Sequence, residues 1–143
     1  MEQLVVVKWS GPYKLESIHK QEKAFSTGIY AIYRRYGNKE SLLYIGKTER
    51  SIAQRIKEHE KDWLYHIKGQ ILIRVGTLVY SANNRFSAKR LNDVEALLIT
   101  SHCPPENTSC AVYYRGRFNL KIINIGRRGL IDKQVSAEDL VWA

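Results

Sequence analysis

Three observations predict a mixed α/β fold. Short runs rich in β-branched or aromatic residues, at 4–9, 28–35, 41–46 and 70–80, are bounded by glycine, proline or polar turns. Two longer stretches, 52–63 and 89–102, instead carry apolar residues at helical spacing. Between residues 28 and 59, polar and aromatic side chains recur at spacings that a plain structural segment does not need.

With 143 residues, the chain is long enough to bury one core and short for two, so a single domain over 1–143 is expected. Hydrophobic residues at 44% and charged residues at 26% argue against wholesale disorder. Basic residues outnumber acidic ones 23 to 14, a net charge of +9. That surplus favours a polyanionic partner, nucleic acid ahead of a membrane surface, because no basic amphipathic helix with a bulky apolar face stands out. The N-terminus has Glu2 and only four apolar residues before Lys8, unlike a signal peptide. No apolar run approaches the roughly 20 residues of a membrane span, so a cytoplasmic location is expected, or a nuclear one in a eukaryote. Cys103 and Cys110 are too few for a disulfide scaffold and, with His102, one ligand short of a structural zinc site. Two ordinary thiols are expected.

Taken in order, Leu4 to Trp9 reads as a buried strand closed by the turn signal Ser10-Gly11-Pro12. Tyr13 to Lys23 is a short helix or ordered loop. Gly28 to Arg35 is a strand with Ile29, Ala31 and Tyr33 on one face and Tyr30, Ile32 and Arg34 on the other. A turn over Tyr36 to Glu40 leads to the returning strand Ser41 to Gly46, a hairpin with a loop longer than two residues. This register sets Tyr30 and Tyr44 on the same side. Thr48 or Ser51 caps the next helix, where Ile52, Ile56 and Trp63 form one stripe with His59 inside it and Arg55 at its edge. A guanidinium is rarely turned inward without an anion to meet.

Gln70 to Tyr80 is the next strand, followed by a polar loop, Ser81 to Phe86. On the helix Lys89 to His102, Leu91, Leu98 and Ile99 mark the buried face, Glu95 falls between them and Asp93 points away. A carboxylate in such a stripe needs a cation, a metal or donors. Pro104-Pro105 stops the helix and Glu106-Asn107-Thr108 turns the chain. Beyond it lie strand-like pieces at 111–114 and 120–125. Arg115, Arg117, Lys121, Arg127 and Arg128, interleaved with Tyr113, Tyr114 and Phe118, suit a groove that follows a phosphate backbone and stacks on bases. A solvated basic surface is the plain alternative. Val135 to Ala143 reads as a short amphipathic tail.

Gly28-Ile29-Tyr30 and Tyr44-Ile45-Gly46, then a helix with Arg55 and His59, then Glu95 and Asn107, resemble the GIY-YIG endonuclease family over about Phe25 to Thr108. The resemblance implies a small antiparallel β-sheet of three central strands flanked by helices, here with short N- and C-terminal additions. It also implies hydrolysis of DNA phosphodiester bonds with one divalent metal, Mg²⁺ or Mn²⁺. Glu95 matches the metal ligand and Arg55 the arginine that meets the scissile phosphate. Tyr30 matches the general base, with positive charge from Lys47, Arg55 or the metal to lower its pKa and His59 as a helper able to take its proton. Tyr44 then shapes the pocket or bonds to phosphate, Asn107 orients a neighbouring group, and Lys47, Arg115, Arg117, Arg127 and Arg128 are the DNA-contacting candidates. Two departures stand out. Thirteen residues, Ala31 to Leu43, separate the two tyrosines, which implies an enlarged hairpin tip. The chain has no room for a separate DNA-recognition domain, so targeting falls to the terminal segments, a homo-oligomer or another protein. The rival reading is a non-catalytic nucleic-acid-binding module with the same fold.

Overall fold

The sheet is drawn mainly from the first eighty residues, where β-branched sequence is densest. In the computed structural model, which describes residues 3–79, 87–107 and 114–142, six strands form one sheet: β1 (Gln3–Lys14), β2 (Gly28–Tyr36), β3 (Lys39–Thr48), β4 (Gln70–Val79), β5 (Leu120–Gly126) and β6 (Gln134–Ser136). Their order is β3-β2-β4-β1-β5-β6. All neighbours run antiparallel except β1 and β5, which are parallel. Two α-helices, α1 (Ile52–Asp62) and α2 (Ala88–His102), and four short 3₁₀ helices complete the described residues.

The mixed α/β class is therefore as expected, whereas the sheet has six strands instead of three. The difference originates in β1, which runs straight through the turn signal at Ser10-Gly11-Pro12. Ser10 opposes Val75 and Tyr13 opposes Ile73, so Gly11 and Pro12 form a bulge against Arg74, and pairing resumes beyond them. Gly11 takes φ +109, and a Cβ there would lie 2.8 Å from the Ile73 carbonyl. Long enough to hold a partner on each side, β1 recruits β5 and, through it, β6. The expected C-terminal tail is thus β6 followed by a 3₁₀ helix, Ala137–Trp142. Of the strand expected at 111–114, residues 111–113 lie outside the described residues and Tyr114 is not in a strand.

The hairpin also differs from expectation. Tyr36 pairs with Lys39 across a two-residue turn, Gly37-Asn38, with Gly37 at φ +65, so the loop is the tight type. The long spacing between the tyrosines is taken up in strand length and in a bulge: Ile32 opposes Tyr44, but Tyr33 opposes Leu42.

Strand alternation separates two cores. Ile29, Ala31 and Tyr33 pack with Trp9 and with Leu91, Leu97 and Leu98 of α2. Tyr30 and Ile32 pack with Ile52 and Ile56 of α1. The two helices therefore cover opposite faces of the sheet. An isolated 11-residue helix is marginal in water; fully burying Ile52 and Ile56, at about 1.5–3 kcal/mol each, is what docks α1. On α2 the wheel reading needs correction, since Asp93 is buried. The helix packs against β3 on one side and the C-terminal segment on another, so it has no single inward face. The Asp93 carboxylate lies 4.0 Å from Arg117 Nε. Cys103 is disulfide-bonded, where free thiols were expected; Cys110 lies outside the described residues. No described helix is long and apolar enough to cross a membrane.

Candidate active site

Both glycine-containing tripeptides owe their glycines to close approaches. Gly28 opens β2 with φ +154, and a Cβ there would sit 2.7 Å from the Gly76 carbonyl on β4. Gly46 lies directly opposite Tyr30 on β3. A Cβ on Gly46 would fall 2.5 Å from Tyr30 Oη and 2.7 Å from the Tyr44 ring, so the missing side chain is the space the two phenols occupy. The bulge after Ile32 helps to aim them, because it sets both Leu43 and Tyr44 toward the α1 side. Tyr30 and Tyr44 stack with ring centroids 6.1 Å apart, on the same face as the register required.

Ser51 caps α1 by accepting from the Gln54 amide, which sets the phase of the helix. His59 then points inward and is buried, with Nε2 2.7 Å from Tyr30 Oη. Its other ring nitrogen, Nδ1, accepts from Trp63 Nε1 at 2.9 Å. Arg55, one turn earlier, is half-exposed and donates to Glu58 at 3.0 Å; Glu58 is also held by Arg50 at 2.9 Å.

Glu95 reaches this cluster from α2, on the opposite face, and the site lies at the outer edge of β3 where the two layers meet. There the Glu106 amide donates to the Leu43 carbonyl, and the Asn107 side chain both donates to and accepts from the Ile45 backbone at 2.9 Å. Asn107 thus stands in for a neighbouring strand between Tyr44 and Gly46. Next along the same edge, the Lys47 backbone N–H and ammonium act on Glu95.

Electrostatics bind these groups into one unit. Burial raises the Tyr30 pKa, Tyr44 and Glu95 raise it further, and Arg55 opposes them. Tyr44 is likewise raised by burial and lowered by Arg55. Burial lifts the Glu95 carboxyl, opposed first by the Lys47 charge and its backbone N–H and then by Arg55. His59 is depressed to about 4, first by burial and then by Arg55, so it is neutral near pH 7. Among the described residues, no three His, Cys, Asp or Glu side chains cluster as metal ligands. A lone carboxylate beside Lys47 and Arg55 suits a hard cation that keeps most of its waters, as Mg²⁺ does.

Of the residues singled out from sequence, Tyr30, Tyr44, Lys47, Arg55, His59, Glu95 and Asn107 come together at this edge. The remaining basic candidates do not join them. Arg117 is engaged by Gln3 and Asp93. Arg128 donates to the Ile131 carbonyl, the backbone of Arg127 and Arg128 serves Arg74 and Tyr33, and the side chains of Arg115 and Arg127 are exposed. Sequence reasoning placed Trp63 in the packing stripe without its bond to His59, and did not identify Glu58 as the anion that Arg55 meets. Spacings of i+4 and i+3 on one helix were the available signals. No protein-family model, curated protein or solved structure matches the chain.

Proposed function

We propose that this protein is a divalent-metal-dependent endonuclease of the GIY-YIG type that hydrolyses phosphodiester bonds in DNA. The observation that carries the reading is the convergence of Tyr30, Tyr44, Arg55 and Glu95 at one sheet edge, although they come from four elements, β2, β3, α1 and α2, and both faces of the sheet. Packing alone does not call for a carboxylate and a guanidinium beside one buried and one partly buried phenol. In this reading β3-β2-β4 with α1 and α2 is the family's three-stranded core, and β1, β5 and β6 are additions around it.

Glu95 would hold the Mg²⁺ or Mn²⁺, which supplies charge stabilisation at the phosphate and at the leaving 3′ oxygen. Arg55 binds the scissile phosphate through its planar fork. In the free protein Glu58 occupies part of that fork, and an incoming phosphate takes its place while Arg50 retains Glu58. Lys47 adds positive charge next to Glu95, and Tyr44 lines the pocket next to Arg55. Tyr30 is the proton-handling group nearest His59. It keeps its proton in the resting protein, because burial and Tyr44 outweigh Arg55. Its deprotonation therefore belongs to the assembled complex with DNA, in which attack by water is directed at the phosphorus.

The test is incubation of purified protein with supercoiled plasmid, branched DNA and single-stranded DNA in Mg²⁺, Mn²⁺ or EDTA, with Glu95→Ala in parallel. Cleavage that needs the metal and Glu95 is the expected result. Binding that persists in EDTA with no cleavage in any metal would instead establish a non-catalytic nucleic-acid-binding module.

A further inference from the structure

Tyr30, His59 and Trp63 form a hydrogen-bonded chain whose direction is set at one end. Indole Nε1–H donates and never accepts. It points at His59 Nδ1 from 2.9 Å, so Nδ1 must carry a lone pair. A neutral imidazole has one N–H and one acceptor nitrogen, which leaves the proton on Nε2. That nitrogen faces Tyr30 Oη at 2.7 Å.

We infer that Trp63 is a positioning residue that locks His59 in the Nε2–H tautomer, so that His59 donates to the Tyr30 oxygen and does not take the Tyr30 proton. This deepens the nuclease reading and, for the catalytic role, rests on it. It replaces the proton-accepting role expected of His59 with that of a fixed donor, which stabilises negative charge as it forms on Tyr30. Both imidazole nitrogens are already committed, so the Tyr30 proton has to leave away from His59, on the side of Tyr44, whose ring stacks on that of Tyr30. Other features support the lock. The His59 and Trp63 rings meet edge-on at 5.7 Å, and the Tyr44 ring lies against both, 4.7 Å from His59 and 5.7 Å from Trp63. Ring rotation is thereby hindered as well as tautomer exchange. The titratable groups facing His59 are Tyr30 from β2, Tyr44 from β3, and Arg55, Glu58 and Asp62 from its own helix. Burial and Arg55 outweigh the two carboxylates, so the neutral form persists through physiological pH.

The decisive experiment is imidazole ¹H–¹⁵N NMR on the full chain without DNA or metal, with His59 signals assigned by their loss in His59→Gln. Wild type should show a single tautomer, protonated at Nε2, between pH 6 and 8. Trp63→Phe, which keeps an aromatic ring and removes the donor, should populate the Nδ1–H tautomer. A proton on Nδ1 in wild type, or an unchanged tautomer in Trp63→Phe, would overturn the inference. A second arm reads cleavage. His59→Gln, whose amide can donate but cannot take up a proton, should stay within about tenfold of wild type, while His59→Ala falls by about 10²-fold or more. A Gln variant as inactive as the Ala variant would show that His59 does accept the proton. Wild-type protein that fails to cut any DNA would sink the nuclease reading, whereas the NMR result would still decide the tautomer.

Discussion

Tyr30 and Tyr33 lie three residues apart on β2, and both are fully buried, yet they face opposite sides of the sheet and meet different partners. On the Tyr33 side the hydroxyl donates to the Arg128 carbonyl at 3.1 Å and accepts from the Leu130 amide at 3.0 Å. Arg74 stacks over its ring, and its guanidinium is closed off by Glu40 and the Arg127 carbonyl. On the Tyr30 side the hydroxyl meets the His59 ring nitrogen at 2.7 Å, a titratable side chain, and the nearby Arg55 is half-exposed with a rim carboxylate as its partner. Each side has a tyrosine, an arginine and a glutamate. One set is tied to backbone and staples the C-terminal segment to the sheet; the other has an arginine whose partner is a carboxylate at the surface.

The contrast can be broken or sharpened by experiment. Its largest expected consequence is in Glu95→Ala, which should lose about 10³-fold in cleavage with no loss of melting temperature, because removing a desolvated carboxylate does not weaken the fold. Circular dichroism melts beside plasmid-nicking rates check both halves. Arg55→Lys should cost about 10²-fold in cleavage, since an ammonium lacks the fork. Arg74→Lys should instead lower stability by about 1–3 kcal/mol in urea unfolding, with cleavage retained. A pH series separates the two sides further. The folded pKa of His59, about 4, lies below its ordinary 6.5, so the unfolded chain binds the proton first on acidification. The stability attached to neutral His59 is complete above about pH 6.5 and drains away as pH falls toward 4. Relative to His59→Gln, wild type should lose about 2 kcal/mol between pH 7.5 and pH 5. The backbone partners of Tyr33 do not titrate, and Tyr33→Phe should leave this slope unchanged.

Much of the site was legible because it depends on local periodicity. Alternation in β2 set Tyr30 apart from Tyr33, and the helical phase from Ser51 brought His59 inward with Ile52 and Ile56. What was not legible depends on tertiary context. Gly11-Pro12 carries a genuine turn signal, but strand partners on both sides of β1 overrode it as a bulge. The parallel pairing of β1 with β5 joins residues more than a hundred positions apart, beyond the reach of any local pattern. Asp93 misled because a wheel assumes one buried face, and α2 has two. Glu95 stood out as a costly carboxylate, yet its route around the edge of β3 to a cluster on the other face required the strand order. The hydrogen-bond chain from Trp63 was hidden in an i+4 spacing that also reads as ordinary packing.

Tyr30→Phe and Tyr33→Phe, each scored for cleavage rate and for unfolding free energy, test the division between the two sides most directly. Tyr30→Phe should cut at least about 10²-fold more slowly and lose about 1–3 kcal/mol, because it leaves the buried His59 Nε2–H without its acceptor. Tyr33→Phe should cut at the wild-type rate while losing about 1–3 kcal/mol, the cost of leaving the Leu130 amide without its acceptor. The opposite pattern, with cleavage lost in Tyr33→Phe and kept in Tyr30→Phe, would contradict the assignment of the active site to the Tyr30 side.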